Sequence, residues 1–376
     1  MKKLIFPLSQ PTPSIANRET KARDGFAHVR IILEDVVRDR AFPGASVCVT
    51  YEHEVVWQMV VGNFTYEAES PAVTPETAFD LASLTKVIAT TTMAMLLYER
   101  RQLALDQPVA DLVPEFTSSH NDHRRQQVTL RMLMAHSSGL PAYIRLFESC
   151  GTRQQLLQAA FAASLEADPM ARAEYSDIGF IILGEAMERL AGESMDTFCL
   201  REIFTPLGMK DTRYSPSPEL KGKIPPTLHD KDFRRRVVQG EVNDENASVM
   251  GGIAGHAGLF APADDIARFS ECMLRGGAPI IQPETVAMFT KRQTTPAGTT
   301  HALGWDTPST PSQSGKHFSN ISFGHLGYTG TSVWIDPVRH LSITLLTNRT
   351  WPDGGSQMIK QVRPALHDAI IEELPL

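Results

Sequence analysis

The sequence predicts an α+β protein, an antiparallel β-sheet flanked by helices with a mostly helical domain inserted into it. Two observations predict this. Strand-like runs lie near both ends of the 376-residue chain, at 45–62 and again after about 257, and the stretch between them is mostly of helical spacing. Both ends can then share one sheet, because antiparallel strands pair without regard to their distance in sequence. The length also allows two domains or one large one.

The elements follow in order. Residues 20–40 have Phe26, Val29, Ile32 and Val36 at helical spacing. After the turn Phe42-Pro43-Gly44 come "ASVCVTY" and "VVWQMVVG", two strands joined through Glu52-His53-Glu54. A helical region starts within "FDLASLTKVIATTTMAMLLYER" and runs to about residue 250. "SPSPELKGKIPPTLHDKDFRRR" (215–236), rich in proline and charge, reads as an extended surface loop within it. "AGLFAP" is a strand, and "TSVWIDP" with "HLSITLLTN" a hairpin through Asp336-Pro337. "SQMIKQVRPALHDAIIEEL" is a helix with a kink or break at Pro364. The expected division is an N-terminal arm (1–19), a sheet domain (20–82 and 251–376) and a helical domain (83–250), with the active site in the groove between them.

Composition excludes some functions. Apolar residues make up 42% and charged residues 21%, as in globular proteins. Net charge is -7, without the basic surplus that holds a nucleic-acid backbone. The cluster Lys231, Arg234, Arg235, Arg236 is most simply a solvated face. No apolar run approaches the ~18 residues of a membrane span. The apolar part of "MKKLIFPLSQPTPS" is shorter than the ~7–15 residues of an export signal, so the expected compartment is the cytoplasm. Cys48, Cys150, Cys199 and Cys272 lie far apart, as reduced buried thiols would. His120 to His123 ("HNDH") has metal-like residue types, yet without further ligands nearby it reads as a solvated loop.

Lys86 is the residue that demands an explanation. It stands three residues after Ser83 and directly before Val87, Ile88 and Ala89. A lysine among apolar residues costs stability unless something uses it. Ser83 Oγ and Lys86 Nζ can meet on one helix face, and a desolvated lysine can serve as the base that a serine nucleophile needs. The backbone N–H groups at a helix start can bind a developing oxyanion. Ser-x-x-Lys also occurs by chance. In Tyr175-Ser176-Asp177, ahead of a helix ending at Gly192, Ser176 or Asp177 reads locally as an N-cap and Tyr175 as a core aromatic. His325-Leu326-Gly327 opens a Gly-rich strand where a ligand approaches the backbone or where a bulge sits.

Together these three elements resemble the three boxes of serine β-lactamases and penicillin-binding proteins. The Tyr-x-Asn-like second box is similar to the class C branch, with its family VIII carboxylesterases and D,D-peptidase relatives. "FPGASVCV", "LRMLMAHSSGLP", "IFTPLGMKDT", "GEVNDENASVMGGIAGHAGLF", "LGWD" and "GHLGYTGTSVWIDP…LLTNR" resemble that family's landmarks, over about residues 20 to 352. The resemblance implies a β-lactamase/transpeptidase-like fold with Ser83 as the acylated nucleophile and Lys86 as its base partner. It also implies Tyr175 as the proton relay to the leaving group, the N–H groups of Ser83 and Tyr328 as oxyanion hole, and no cofactor or metal.

Three departures bear on substrate. The lysine usual in the third box is His325, close to neutral at pH 7, and the usual hydroxyl-bearing residue is Leu326. The Asn usual in the second box is Asp177, which when ionised only accepts hydrogen bonds. It can also pair with Lys86, raise its pKa and shift the base role toward Tyr175. These changes weaken recognition of an anionic acyl-amide and favour a family VIII-like carboxylesterase acting on short- to medium-chain esters with an uncharged acyl group. The alternatives are a β-lactamase, a D,D-peptidase or D-amino-acid peptidase, or a β-lactam sensor that acylates without turnover. Gly327 borders the substrate, and Tyr143 lines the cleft or packs. Arg349 reaches a substrate carboxylate or, more simply, makes a surface ion pair. His136 and His256 read as structural, and Asn243 replaces the histidine usual before "DENA". The sequence leaves the oligomeric state open.

Overall fold

The computed structural model describes residues 25–118 and 121–374. The expected N-terminal arm, the signal-like stretch and His120 lie outside them.

Helix α1 (Ala27–Arg38) leads into strands β1 (Gly44–Tyr51) and β2 (Glu54–Gly62), and β3 (Phe79–Asp80) follows. A π-helical turn over Lys86–Thr91 runs into α2 (Thr92–Glu99), and short helices lead on to α3 (Asp177–Ala191). Next come β4 (Arg213–Tyr214), β5 (Leu228–Asp230), β6 (Arg236–Val238), β7 (Leu259–Ala261) and α4 (Ala263–Leu274). The chain closes with β8 (Phe323–Leu326), β9 (Ser332–Asp336), β10 (Leu341–Thr347) and α5 (Ile359–Glu373).

Both ends of the chain do share one antiparallel sheet, in the order β2-β1-β10-β9-β8. Its join is β1 against β10, with Ala45 opposite Thr347 and Tyr51 opposite Leu341. Every residue from Gly44 to Thr50 is buried, because apolar layers cover both faces. Val47, Val49, Trp334 and Ile343 pack with Phe26, Leu33, Leu366 and Ile370 of α1, its flank and α5. Cys48, Val333, Ile335 and Leu346 belong to a larger core that continues through α4 into the helices. A fully buried Val, Leu, Ile or Phe contributes about 1.5–3 kcal/mol, so the two layers hold the strands firmly. All four cysteines are buried and free.

Two expectations need correction. The stretch 215–236 is not wholly extended: it holds a 3₁₀ turn at Pro218–Lys223 and strand β5, which pairs with β6 (Leu228 opposite Val238). Within the basic cluster Arg234 is not solvated; its side chain is 4% exposed and donates to Asn243 O at 2.9 Å. The other outcome concerns Pro364, which lies inside α5 without breaking it. Proline has no N–H for the carbonyl of Lys360, and Gln313 Nε2 donates to that carbonyl instead at 3.0 Å.

Candidate active site

The nucleophile candidate is positioned by a buried carboxylate. Asp80, at the end of β3, accepts from Ala82 N (2.8 Å) and from Asn243 N (2.6 Å). This grip holds Ala82 in the left-handed region (φ 47°), an uncommon state for a residue with a side chain, and so turns the chain into the helix at Ser83. Burial pushes the Asp80 carboxyl up to about 6 against these two bonds. Lys86 follows in a π-helical turn, a widening frequent at functional sites.

Lys86 is fully buried, and its Nζ donates to Ser83 Oγ (2.9 Å), Asp177 Oδ1 (2.6 Å) and His256 O (3.1 Å). Burial pushes the ammonium below the ordinary lysine range, and the Asp177 charge opposes that without cancelling it. The expected Lys86–Asp177 pair is therefore present and raises the Lys86 pKa as expected, but burial outweighs it and the net direction is down. Desolvation of a wholly buried ammonium outweighs one carboxylate that is itself 18% exposed.

Tyr175 OH donates to Ser83 Oγ at 2.8 Å. Two neighbours hold it. Ser176, the N-cap of α3, accepts from Gly179 N and donates to Pro141 O. Ser176 N donates to His136 Nδ1 (3.0 Å), and the His136 ring lies 4.6 Å from that of Tyr175. Burial, then the charge of Asp177, pushes the Tyr175 phenol well above its ordinary value. Ser176 is a cap, as local reading has it, while Tyr175 and Asp177 reach Ser83 and Lys86.

On the opposite side stands β8. His325 is buried, and its Nδ1 lies 2.8 Å from Leu326 O, which can only accept, so Nδ1 carries the proton. Burial lowers its pKa to about 4, with Asp306 opposing. Leu326, Gly327 and Tyr328 continue the wall. Gly327 has to be glycine, because a Cβ there would lie 1.9 Å from Thr331 Oγ1 and 2.7 Å from Leu81 O. Neither Ser83 N nor Tyr328 N donates to any acceptor among the described residues.

Ser83, Tyr143, Tyr175, Asp177, His325 and Arg349 all border one cavity of about 850 Å³, as do Leu326, Gly327 and Tyr328. Tyr143 is 40% exposed at its rim. Arg349 makes no surface ion pair among the described residues; Nε and Nη1 bond to backbone carbonyls while the residue borders the cavity. Nε donates to Tyr328 O (2.7 Å) and Nη1 to Gly354 O and Ser356 O. His256 Nε2 pairs with Asp244 at 2.8 Å. Asn243 borders the cavity and serves Asp80 through its backbone N–H.

Asp306 and Asp244 were missed as site residues. Burial raises both carboxyls, but His301 (2.9 Å), His325 and Lys86 around Asp306, and His256, the Ala247 N–H and Lys86 around Asp244, together more than reverse that. Both act electrostatically on Lys86. A sequence signal existed in each acidic residue with a histidine nearby, Asp306 five residues after His301 and Asp244 twelve before His256. Among the described residues no cluster of ligands suited to a metal occurs, and no helix is long and apolar enough to cross a membrane.

Residues 29–366 match the family described as Beta-lactamase. The N-acetylmuramyl-L-alanine amidase of Bacillus subtilis (strain 168) is 31% identical over 374 residues, 90% of this chain and 84% of that protein. A protein of Escherichia coli (strain K12), provisionally named D-alanyl-D-alanine carboxypeptidase, is 31% identical over 347 residues, 83% of this chain and 79% of its own. Among solved structures, EstCE1, "a hydrolase with promiscuous acyltransferase activity", superposes with a TM-score of 0.74 at 22% identity, over 91% of this chain and 97% of that one. A class C beta lactamase from Rhodobacter sphaeroides gives 0.70 at 22% identity, over 92% and 98%. The chain belongs to the beta-lactamase family and is a serine hydrolase with that family's fold.

Proposed function

We propose that this member of the beta-lactamase family cleaves short- to medium-chain carboxylic esters with an uncharged acyl group, through an acyl-enzyme on Ser83. The observation that carries the reading is the charge around the nucleophile. Asp177, Asp244 and Asp306 act on Lys86, the facing His325 is neutral, and Arg349 bonds to backbone carbonyls through Nε and Nη1. A carboxylate brought beside Lys86 meets these three acidic side chains, whereas a neutral ester meets no such penalty.

In the resting enzyme Lys86 holds its proton or releases it into a site built for either form. As a neutral amine it donates to Asp177 and His256 O and presents its lone pair to Ser83 Oγ. It takes the Ser83 proton as Oγ attacks the carbonyl carbon, and the N–H groups of Ser83 and Tyr328 receive the oxyanion. Tyr175, held as a phenol, gives its proton to the departing alkoxide and is reprotonated from Lys86. Water then replaces the alcohol, and the same transfers run in reverse to release the acid. Lys86 is the base and Tyr175 the acid, which reverses the weighting expected from Asp177 alone. The cleft lies between the sheet and the helical insertion, taken here as residues 83–250.

The amidase and carboxypeptidase names of the two 31% identical relatives favour an amide as the second reading. Parallel turnover of p-nitrophenyl butyrate, nitrocefin and a D-alanyl-D-alanine peptide decides between them. Ester cleavage should dominate and fall by at least about 10⁴-fold in Ser83→Ala. Nitrocefin or peptide turnover equal to that of the ester would overturn the substrate assignment.

A further inference from the structure

Two guanidinium groups adjoin the loop that carries Tyr328 N–H and border the same cavity, and neither faces a carboxylate at ion-pair distance among the described residues. One is Arg349. The other, Arg363 of α5, is 5% exposed. Its Nη2 donates to Gly327 O and to Thr331 O, both at 2.8 Å. Burial, with the nearby Arg349 charge, lowers its pKa to about 9.

A buried cation without a counter-ion is costly, and satisfying those two carbonyls does not explain it. Gly327 O already accepts from Gly330 N (3.0 Å), and Thr331 O from Gly327 N (2.7 Å). Removing Arg363 would orphan neither. What sets this contact apart is covalent. Gly327 C=O and Tyr328 N–H are the two ends of one planar trans peptide, and they point in opposite directions. A charge-assisted bond on the oxygen orients that plane and draws electron density from the nitrogen side, so the N–H becomes a stronger donor. The same loop is fastened to the nucleophile segment: Thr329 Oγ1 donates to Asp80 O (2.7 Å) and Thr331 Oγ1 to Leu81 O (3.0 Å).

We infer that Arg363 is a positioning residue for the acyl-transfer step, gripping Gly327 O so that Tyr328 N–H is aimed and polarised toward the oxyanion. Its charge stabilises the anionic intermediate through that peptide. The ground-state ester carries little charge on that oxygen, so the effect falls on the transition state. The inference rests on the reading of Ser83 as nucleophile and Tyr328 N–H as oxyanion donor.

The test compares wild type with Arg363→Met and Arg363→Lys. With p-nitrophenyl butyrate, Arg363→Met should lower kcat by about 10- to 100-fold, below the loss from deleting an oxyanion donor outright, and leave KM within about 2-fold. A butyl trifluoromethyl ketone, whose adduct with Ser83 bears the oxyanion, should bind more weakly by the same factor as the fall in kcat/KM. Arg363→Lys keeps the charge and should recover part of both. If Arg363→Met does not fold, as judged by its melting curve, Arg363→Lys alone is read and should lie measurably below wild type in kcat and ketone affinity. Unchanged kcat and ketone affinity in the folded variants would overturn the inference, as would a loss confined to KM. The rate of Ser83 labelling by an alkyl fluorophosphonate separates the two layers. If wild type is not labelled at Ser83, the nucleophile reading fails and the inference with it. If wild type is labelled and Arg363→Met is labelled as fast, only the inference fails.

Discussion

The helical and the sheet sides of the cleft treat Ser83 in opposite ways. From the helical side come titratable groups, proposed to exchange protons: Lys86 at 2.9 Å, Tyr175 at 2.8 Å, and Asp177 bonded to Lys86 at 2.6 Å. From the sheet side come a neutral imidazole, a leucine, and the N–H of Tyr328, which has no acceptor among the described residues and whose loop carbonyls accept from Arg349 and Arg363. The difference teaches that proton transfer and charge stabilisation need opposite environments. A base is useful when its proton can leave, so burial must bring its pKa down toward working pH. A donor to an oxyanion is useful when it never changes state, which a peptide backed by guanidinium ensures.

The contrast breaks most severely at Lys86. Lys86→Met should lower kcat/KM by about 10²–10⁴-fold, as loss of a general base does, with the acidic limb of its pH profile abolished. Asp177 is then left without its cation, but it borders the cavity. The stability loss should therefore stay below the ~3–5 kcal/mol of a fully buried broken pair, read as a fall in Tm. An intact acidic limb in Lys86→Met would move the base role elsewhere.

Asp177→Asn sharpens the same side. The Asp177 charge raises the pKa of both Lys86 and Tyr175. Without it Lys86 loses its proton more readily, so the acidic limb of kcat/KM should shift by about 1–3 pH units to lower pH. A shift upward, or none, would contradict the pair's assigned role.

The smallest effect tests the sheet side, where titration should appear in stability and not in rate. His325 and His367 are buried with pKa values depressed, to about 4 for His325 and about 3 for His367. A depressed folded pKa means stability that is complete above the unfolded value of ~6.5 and lost as pH falls through the folded value. Tm should therefore decline between pH 6.5 and 4, and His325→Leu should make the decline shallower by about one proton while leaving the acidic limb of kcat/KM in place. A limb that moves in His325→Leu would mean that this imidazole takes part in the chemistry.

Much of this was legible in the residues. Chemistry that needs particular side chains at fixed local spacing leaves a local trace: Ser83 and Lys86 are three apart, Tyr175 precedes a capped helix, and glycine is required at 327 because nothing larger fits. The antiparallel sheet joining both ends of the chain was also predictable, since apolar strand runs have nowhere else to bury their faces. The tertiary structure alone decided how these groups are charged and held. Whether Asp177 or desolvation governs Lys86 depends on burial, which is set by every element packed around it. Arg349 and Arg363 are ordinary cations in sequence, and only the packing of α5 and the chain after β10 behind β8 turns them toward carbonyl oxygens. Asp80, 163 residues from Asn243, bends the chain before Ser83 through a contact that no local pattern encodes. Spacing along a chain fixes which atoms are neighbours within a turn of helix; the dielectric and the direction of a buried charge come from atoms that meet only on folding.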